Sequence, residues 1–390
     1  MAVTTIPAAR AEAPALEEIV VTAARRQVPA LETPLSIGRV AADAIVLTGA
    51  THSSEVLNRV PGVMIQRGSG QESLTAIRSP VLTGAGSCGA FLFLENGVPI
   101  RPVGFCNVNE MLEINTEQAA AIEVIRGTGS ALYGSNAVHG TVNVLQPAPD
   151  EREHVRAGLE LGPADYERLK LAGRADGERT DFGAAGFYTH DGGWRDSSGF
   201  EEAKLNATLT SAWSETPVRF DLAATDLDQQ TAGFITGKDA YADEHLARSN
   251  PNPEAYRNAH AVRLTGLIAP PVPFPATLEL RPYLRTSRMD FLQHFLLGEP
   301  VERNGQESGG MLSTLAWRLA DRGTATLGAD FELGHSFLYE SQSSPTTGGS
   351  PAANAIRPQG RHYDYEVNSS VAALYGEIDY RFAEHWRVGV

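Results

Sequence analysis

From Val155 onward apolar and polar residues take turns. Val155, Ala157, Leu159 and Leu161 oppose Arg156, Gly158 and Glu160; Ala325, Leu327, Ala329, Phe331 and Leu333 oppose Thr324, Thr326, Asp330 and Glu332; Ala372, Leu374, Gly376, Ile378 and Tyr380 oppose Glu377, Asp379 and Arg381. Successive side chains of an extended strand point to opposite faces, so these runs predict strands with one apolar and one polar face. The pattern places strands over 154–162, 166–174, 180–190, 200–213, 217–229, 258–269, 277–290, 309–320, 323–335 and 367–382, with another starting near Trp386. Short links such as Ser214–Thr216 and Asp321-Arg322 take turns with long ones at 230–257, 291–308 and 336–366. That rhythm, with a polar second face, fits an antiparallel barrel crossing an outer membrane better than a soluble sandwich.

The first 150 residues follow a different pattern. Residues 1–16 are rich in Ala, Pro and Thr without periodicity and are expected to be disordered. Glu17-Glu18-Ile19-Val20-Val21-Thr22-Ala23 is a short β-prone run, able either to add a strand to a partner's sheet or to serve as an edge strand of its own fold. A short helix stopped by Pro61-Gly62 leads into a strand. Leu74–Arg78 and Phe91–Ile100 read as strands, the second folded at Asn96-Gly97. Residues 116–124 suit a short helix before Ile122–Arg126, and Thr141–Leu145 closes the unit. The result is a compact α+β domain of about 125 residues, enough for one modest core.

Composition changes this picture little. With 42% hydrophobic residues and a mean hydropathy of -0.20 the chain looks water-soluble, but a barrel whose strands are half polar looks the same. No stretch approaches the ~18 consecutive apolar residues of a membrane-spanning helix. A net charge of -15 argues against a nucleic-acid partner, because phosphate binding wants clustered cations. The ten histidines are scattered and no Gly-x-Ser-x-Gly or His-Glu-x-x-His motif occurs, so neither an enzyme nor a resident cofactor is expected. Gly127–Gly134 follows a strand, but its third glycine is misplaced for dinucleotide binding and a tight backbone turn explains it better. Cys88 and Cys106 lack a metal-ligand neighbour. In an oxidising compartment they are expected to pair, adding about 3 kcal/mol on the chain-entropy account, with two free thiols as the alternative.

Ile122-Glu123-Val124-Ile125-Arg126-Gly127-Thr128-Gly129-Ser130-Ala131-Leu132-Tyr133-Gly134 and the run on to Val144 resemble the closing motif of the plug domain of TonB-dependent receptors. Leu57–Ile65, Ile77-Arg78 and Leu94-Glu95-Asn96-Gly97-Val98-Pro99 match earlier plug motifs in order, although Ser79-Pro80 follows Arg78 where the family usually has glycine. The resemblance implies four segments: a disordered start (1–16), a TonB box (17–23), a plug (24–150) and part of an outer-membrane barrel (151–390). It also implies a full barrel of about 22 strands, so the chain, with roughly half that number, is expected to be a fragment.

By the same resemblance the protein is a transporter in the outer membrane of a Gram-negative bacterium. Its implied partners are TonB with the inner-membrane energising complex, the lipid bilayer and a small-molecule ligand, with no nucleic acid. A ferric siderophore or other metal chelate is the leading cargo. Haem, cobalamin or an oligosaccharide, or a non-transporting signalling role, are the alternatives. Glu18, Ile19, Val20, Val21, Thr22 and Ala23 are the residues expected to bind TonB. Arg67, Gln71, Arg101 and Asn107 are candidates for ligand contact at the plug apex, and Arg78 and Arg126 for locking the plug to barrel carboxylates.

Overall fold

The computed structural model describes residues 20–389, save 23–24, 31–32, 34, 83–89, 108, 130–131, 135, 295, 321 and 384–385. Glu18, Ile19, Ala23 and Cys88 therefore lie outside the described residues, as does the segment 1–16.

The chain opens with β1 (Val20–Val21) and β2 (Val28–Pro29), an antiparallel pair, followed by β3 (Ile37–Ala41), α1 (Ala42–Thr48) and α2 (Ser53–Leu57). Next come β4 (Val63–Arg67), β5 (Ser73–Ile77), β6 (Phe91–Glu95), β7 (Val98–Pro99), β8 (Ala121–Arg126) and β9 (Gly140–Leu145). Five of these strands form one sheet in the order β3-β8-β9-β6-β7, and β4 pairs with β5 apart from it. β6 runs parallel to β9 and the other pairs are antiparallel. Asn96 and Gly97 both take positive φ, 49° and 80°, the geometry that lets a two-residue turn join twisted strands.

The central strands read as nearly unbroken apolar runs because both of their faces are covered. On one face Phe91, Phe93, Ile122, Val124, Val142 and Val144 pack under Ile45 of α1 and Val56 and Leu57 of α2. On the other, Leu92, Leu94, Ile125 and Tyr133 are covered by Val21 and Val28 of the β1–β2 hairpin. The helix expected over 116–124 does not form. A 3-10 turn lies earlier, at Glu110–Glu113, and Ile122–Ile125 join a sheet between β3 and β9, where pairing on both sides overrides local preference.

The second half forms an eleven-stranded antiparallel sheet, each strand paired with the next: β10 (Val155–Gly162), β11 (Tyr166–Ala175), β12 (Thr180–Asp191), β13 (Phe200–Trp213), β14 (Thr216–Gln230), β15 (Tyr256–Ile268), β16 (Ala276–Leu292), β17 (Val301–Leu319), β18 (Gly323–Gln342), β19 (Gly360–Ala383) and β20 (Trp386–Gly389). The expected strands are all present. β17, β18 and β19 run farther than their apolar alternation, however, and take up much of the expected long links. Residues such as Glu302, Asn304 and Gln306 are polar and continue the ladder, pairing with Phe291, Met289 and Ser287. The longer loops, 231–255 with α3 (Glu244–Arg248), 293–300, and 343–359 with α4 (Pro351–Ala355), all leave one end of the sheet, whereas 176–179, 214–215, 269–275 and 320–322 close the other.

This sheet is inside out by the standards of a soluble protein. Leu374 is 87% exposed and Leu159 67%, while Arg168 and Glu202 on the concave side are 0% and 1% exposed. An apolar outer face with a charged, plug-filled interior is the arrangement lipid demands. No helix among the described residues is long and apolar enough to cross a membrane.

Candidate functional site

At the short-turn end, the β1–β2 hairpin is inserted between plug and barrel wall. Val20 faces Pro29 and Val21 faces Val28. Val21 is fully buried, while Val20 stays half exposed. The Thr22 backbone N–H donates to both carboxylate oxygens of Glu123 (3.1 and 2.9 Å), and its hydroxyl donates to the same group at 2.8 Å. Asn143 Nδ2 donates to that hydroxyl at 3.2 Å. Burial pushes the Glu123 carboxyl above its ordinary pKa, and the Thr22 bonds oppose the shift.

The hairpin turn is fastened to the wall. Arg25 Nη1 donates to both oxygens of Asp330 on β18 (2.9 and 2.8 Å) and to the Tyr375 hydroxyl on β19 (3.2 Å). Its guanidinium lies 4.8 Å from the Tyr375 ring centre and 5.5 Å from that of Tyr133. Arg26 stands 3.6 Å from Asp379, also on β19. Two clefts adjoin the hairpin, one of about 380 Å³ against β14–β17 and one of about 560 Å³ nearer the turns.

At the long-loop end a cleft of about 550 Å³ is bordered by Arg67, Glu72, Trp194, Phe234 and His294. Arg67 ends β4, is paired loosely with Glu55 at 3.6 Å and leaves its side chain 42% exposed. Trp194 and Phe234 are exposed, and the Phe234 ring lies 6.1 Å from that of His294. The other apex candidates are committed inside the molecule. Gln71 binds the side chain of Gln229 through its N–H and the Thr51 carbonyl through Nε2; Arg101 pairs with Glu110 at 3.0 Å and donates to the carbonyls of Phe91 and Phe105; Asn107 contacts Glu110 and Met289.

Arg78 and Arg126 bind the plug to itself. Arg78 donates to the Arg126 carbonyl and to Ser36 Oγ, and Arg126 to the carbonyls of Pro61 and Ile37. Among the described residues neither meets a barrel carboxylate. Apart from Arg25 and Arg26 of the hairpin, the charge pairs described between plug and wall have the opposite polarity, with barrel cations reaching plug acceptors. Arg263 on β15 holds Glu95 at 3.0 Å and Glu113 at 3.5 Å, and Arg257 holds Glu72 at 2.8 Å. Arg168, Lys204, Arg219 and Arg281 donate to the main-chain carbonyls of Ala50, Ile114, Gln146 and Asn96 at 2.7 to 3.1 Å. Burial lifts the Glu113 carboxyl to about 7 despite Arg263, and that of Glu110 to about 7 despite Arg101. These wall cations were not singled out from the sequence; their signal was their place on the polar parity of successive strands.

Residues 29–141 match the family model described as the TonB-dependent receptor plug domain. The first part of the chain is thus a plug domain of the TonB-dependent receptor kind. Over 175 residues it is 29% identical to the vitamin B12 transporter BtuB of Vibrio cholerae serotype O1, covering 45% of this chain and 28% of that one. Its fold is similar to that of the ferripyoverdine receptor of the outer membrane of Pseudomonas aeruginosa (TM-score 0.75, 12% identity, 95% of this chain and 53% of that one). It is also similar to the ferric citrate transporter FecA (TM-score 0.68, 16% identity, 92% and 62%). The chain thus spans less than two thirds of each of these proteins. Cys106 is disulfide-bonded, and the one other cysteine of the sequence is Cys88.

Proposed function

We propose that the protein to which this chain belongs takes up a scarce metal chelate across the outer membrane, with TonB drawing on the 18–23 segment as its handle. The observation that carries this reading is the placement of the β1–β2 hairpin. A two-residue strand completes the plug core from the short-turn side, is held by side chains that can let go, and lies at the opposite end from the aromatic cleft. A strand held by so few backbone bonds can leave its partner and add to the edge of another sheet at small cost. Binding at the far cleft need only favour the hairpin-free state to deliver it.

Arg67, Trp194, Phe234 and His294 suit a bulky anionic or aromatic chelate. The likeness to vitamin B12 transporters puts cobalt corrinoids beside ferric siderophores as cargo. The disulfide is assigned to Cys88 and Cys106, which would close the loop beside β6. The test is whole-cell accumulation of radiolabelled cyanocobalamin and of ferric siderophores by the full-length protein and by Val21→Pro. Energy-dependent accumulation of one probe, lost with Val21→Pro while surface binding is kept, is the expected result. Equal accumulation by both proteins would contradict the proposal.

A further inference from the structure

Two rows of side chains cross the inner face of β17–β19 near the long-loop end. Register sets Glu302, Glu340 and Tyr363 side by side in one row, and Asn304, Leu338 and Tyr365 in the next. They point into the barrel, since Tyr375, of the same parity on β19, reaches Arg25 of the hairpin. Two carboxylates directly opposite one another repel, so each needs its charge met. Glu340 has Arg357 at 3.2 Å and His362 at 2.8 Å. Glu302 receives only neutral amides, Gln293 Nε2 and Asn304 Nδ2, each at 2.7 Å, and among the described residues no ion pair reaches it. Arg257, whose charge also acts on Glu302, is itself held by Glu72 at 2.8 Å. We propose that Glu302, flanked by Tyr363 and Tyr365, receives an ammonium or guanidinium group carried by the cargo.

Three further observations carry this. Tyr363 and Tyr365 are both about half exposed, and Tyr365 lies within electrostatic reach of Glu302 and of Tyr363, so a cation on the carboxylate meets aromatic faces as well. Asn304, while donating to Glu302, keeps its buried Oδ1 without a partner, an acceptor beside the carboxylate that an N–H donor satisfies and a quaternary ammonium does not. A metal ion is the poorer occupant, because among the described residues no three His, Cys, Asp or Glu side chains stand close enough together to hold one. The place also fits the cargo. Gln293 Nε2 bridges Glu302 and Glu340, and the next residue, His294, borders the cleft that Arg67 lines. A chelate with an anionic side toward Arg67 and a cationic arm toward Glu302 uses both.

The proposal rests on the uptake reading, and its test uses neither transport nor TonB, so the two can fail separately. In the purified full-length protein Leu338→Cys places a thiol between Asn304 and Tyr365 and leaves both in place. Its reaction rates with a trimethylammonium-bearing and with a sulfonate-bearing methanethiosulfonate are compared with those of a free thiol in solution. The parent protein supplies the blank, and heat-modifiable migration reports a folded barrel. Preference for the cationic reagent should exceed that of the free thiol by about tenfold or more. It should fall about fivefold with Glu302→Gln, and hold with Glu307→Gln, which removes an exposed carboxylate of the same strand.

Occupancy is read with the uncharged methyl methanethiosulfonate at constant ionic strength. Millimolar agmatine should slow its reaction with Leu338→Cys, tetramethylammonium, which has no N–H, should not, and the slowing by agmatine should vanish with Glu302→Gln. A thiol that no reagent reaches means that the place is closed to solutes, and a cation preference indifferent to Glu302→Gln puts its source elsewhere. Equal slowing by agmatine and tetramethylammonium, or by neither, means that no N–H cation is recognised, and slowing by calcium alone makes the place a metal site. Each of these outcomes overturns the proposal.

Discussion

Arg263 illustrates how single residues hold the plug. Its guanidinium stands between Glu95 and Glu113, and all three are buried. Removing one partner of such a cluster strands the others away from water, so Arg263→Met should destabilise the plug by about 3–5 kcal/mol, read as a lower thermal midpoint in detergent. Glu110 and Glu113 make a second case. Each keeps its proton in the folded plug up to about pH 7, whereas an unfolded glutamate releases it near 4.5. The stability this supplies is fully present below the unfolded value and is lost as pH rises through about 7. The thermal midpoint should therefore fall between pH 5 and pH 7, and Glu110→Gln/Glu113→Gln should flatten that slope. At this scale the sequence was least informative. Arg78 and Arg126 stand out in the motifs, yet the described partners of both are plug acceptors, Ser36 Oγ and the carbonyls of Arg126, Pro61 and Ile37. Arg101 and Asn107 sit in loop-like sequence yet are buried beside Glu110, a contact that no local pattern signals.

The β1–β2 hairpin is the element on which the account turns. Val20-Val21 was legible as a β-prone run, but its pairing with Val28-Pro29 was not, since two residues beside a proline carry no period. Arg25→Ala should detach the hairpin turn from β18 and β19 while leaving the barrel intact. The expected sign is faster protease cleavage within residues 20–30, with the barrel fragment still resistant; unchanged cleavage would mean that the Thr22 to Glu123 bonds suffice alone. Barrel strands were far easier to place, because period-two alternation against lipid is enforced over ten residues or more. Their ends were harder. Beyond the apolar belt both faces of β17 are polar, and in β18 Phe337, Leu338 and Tyr339 follow one another, so alternation stops marking the strand although the backbone ladder continues.

At the scale of the whole molecule the two ends have different chemistry. Exposed aromatics and Arg67 face the long-loop end, the hairpin and its anchors the short-turn end, and between them barrel cations hold plug carbonyls. Main-chain acceptors impose little on plug sequence, which is why the plug motifs could be recognised while the wall's grip on them could not. The arrangement predicts a one-way order of events, from cleft occupancy to hairpin release. The most direct test of its central claim is site-specific disulfide cross-linking in cells between Val20→Cys of the full-length protein and cysteines placed along TonB's partner strand. Cross-links that form at one register, and that are lost when Thr22→Pro is added, are what the account expects. A hairpin that never captures TonB, in cells where another receptor of the family does, would contradict it.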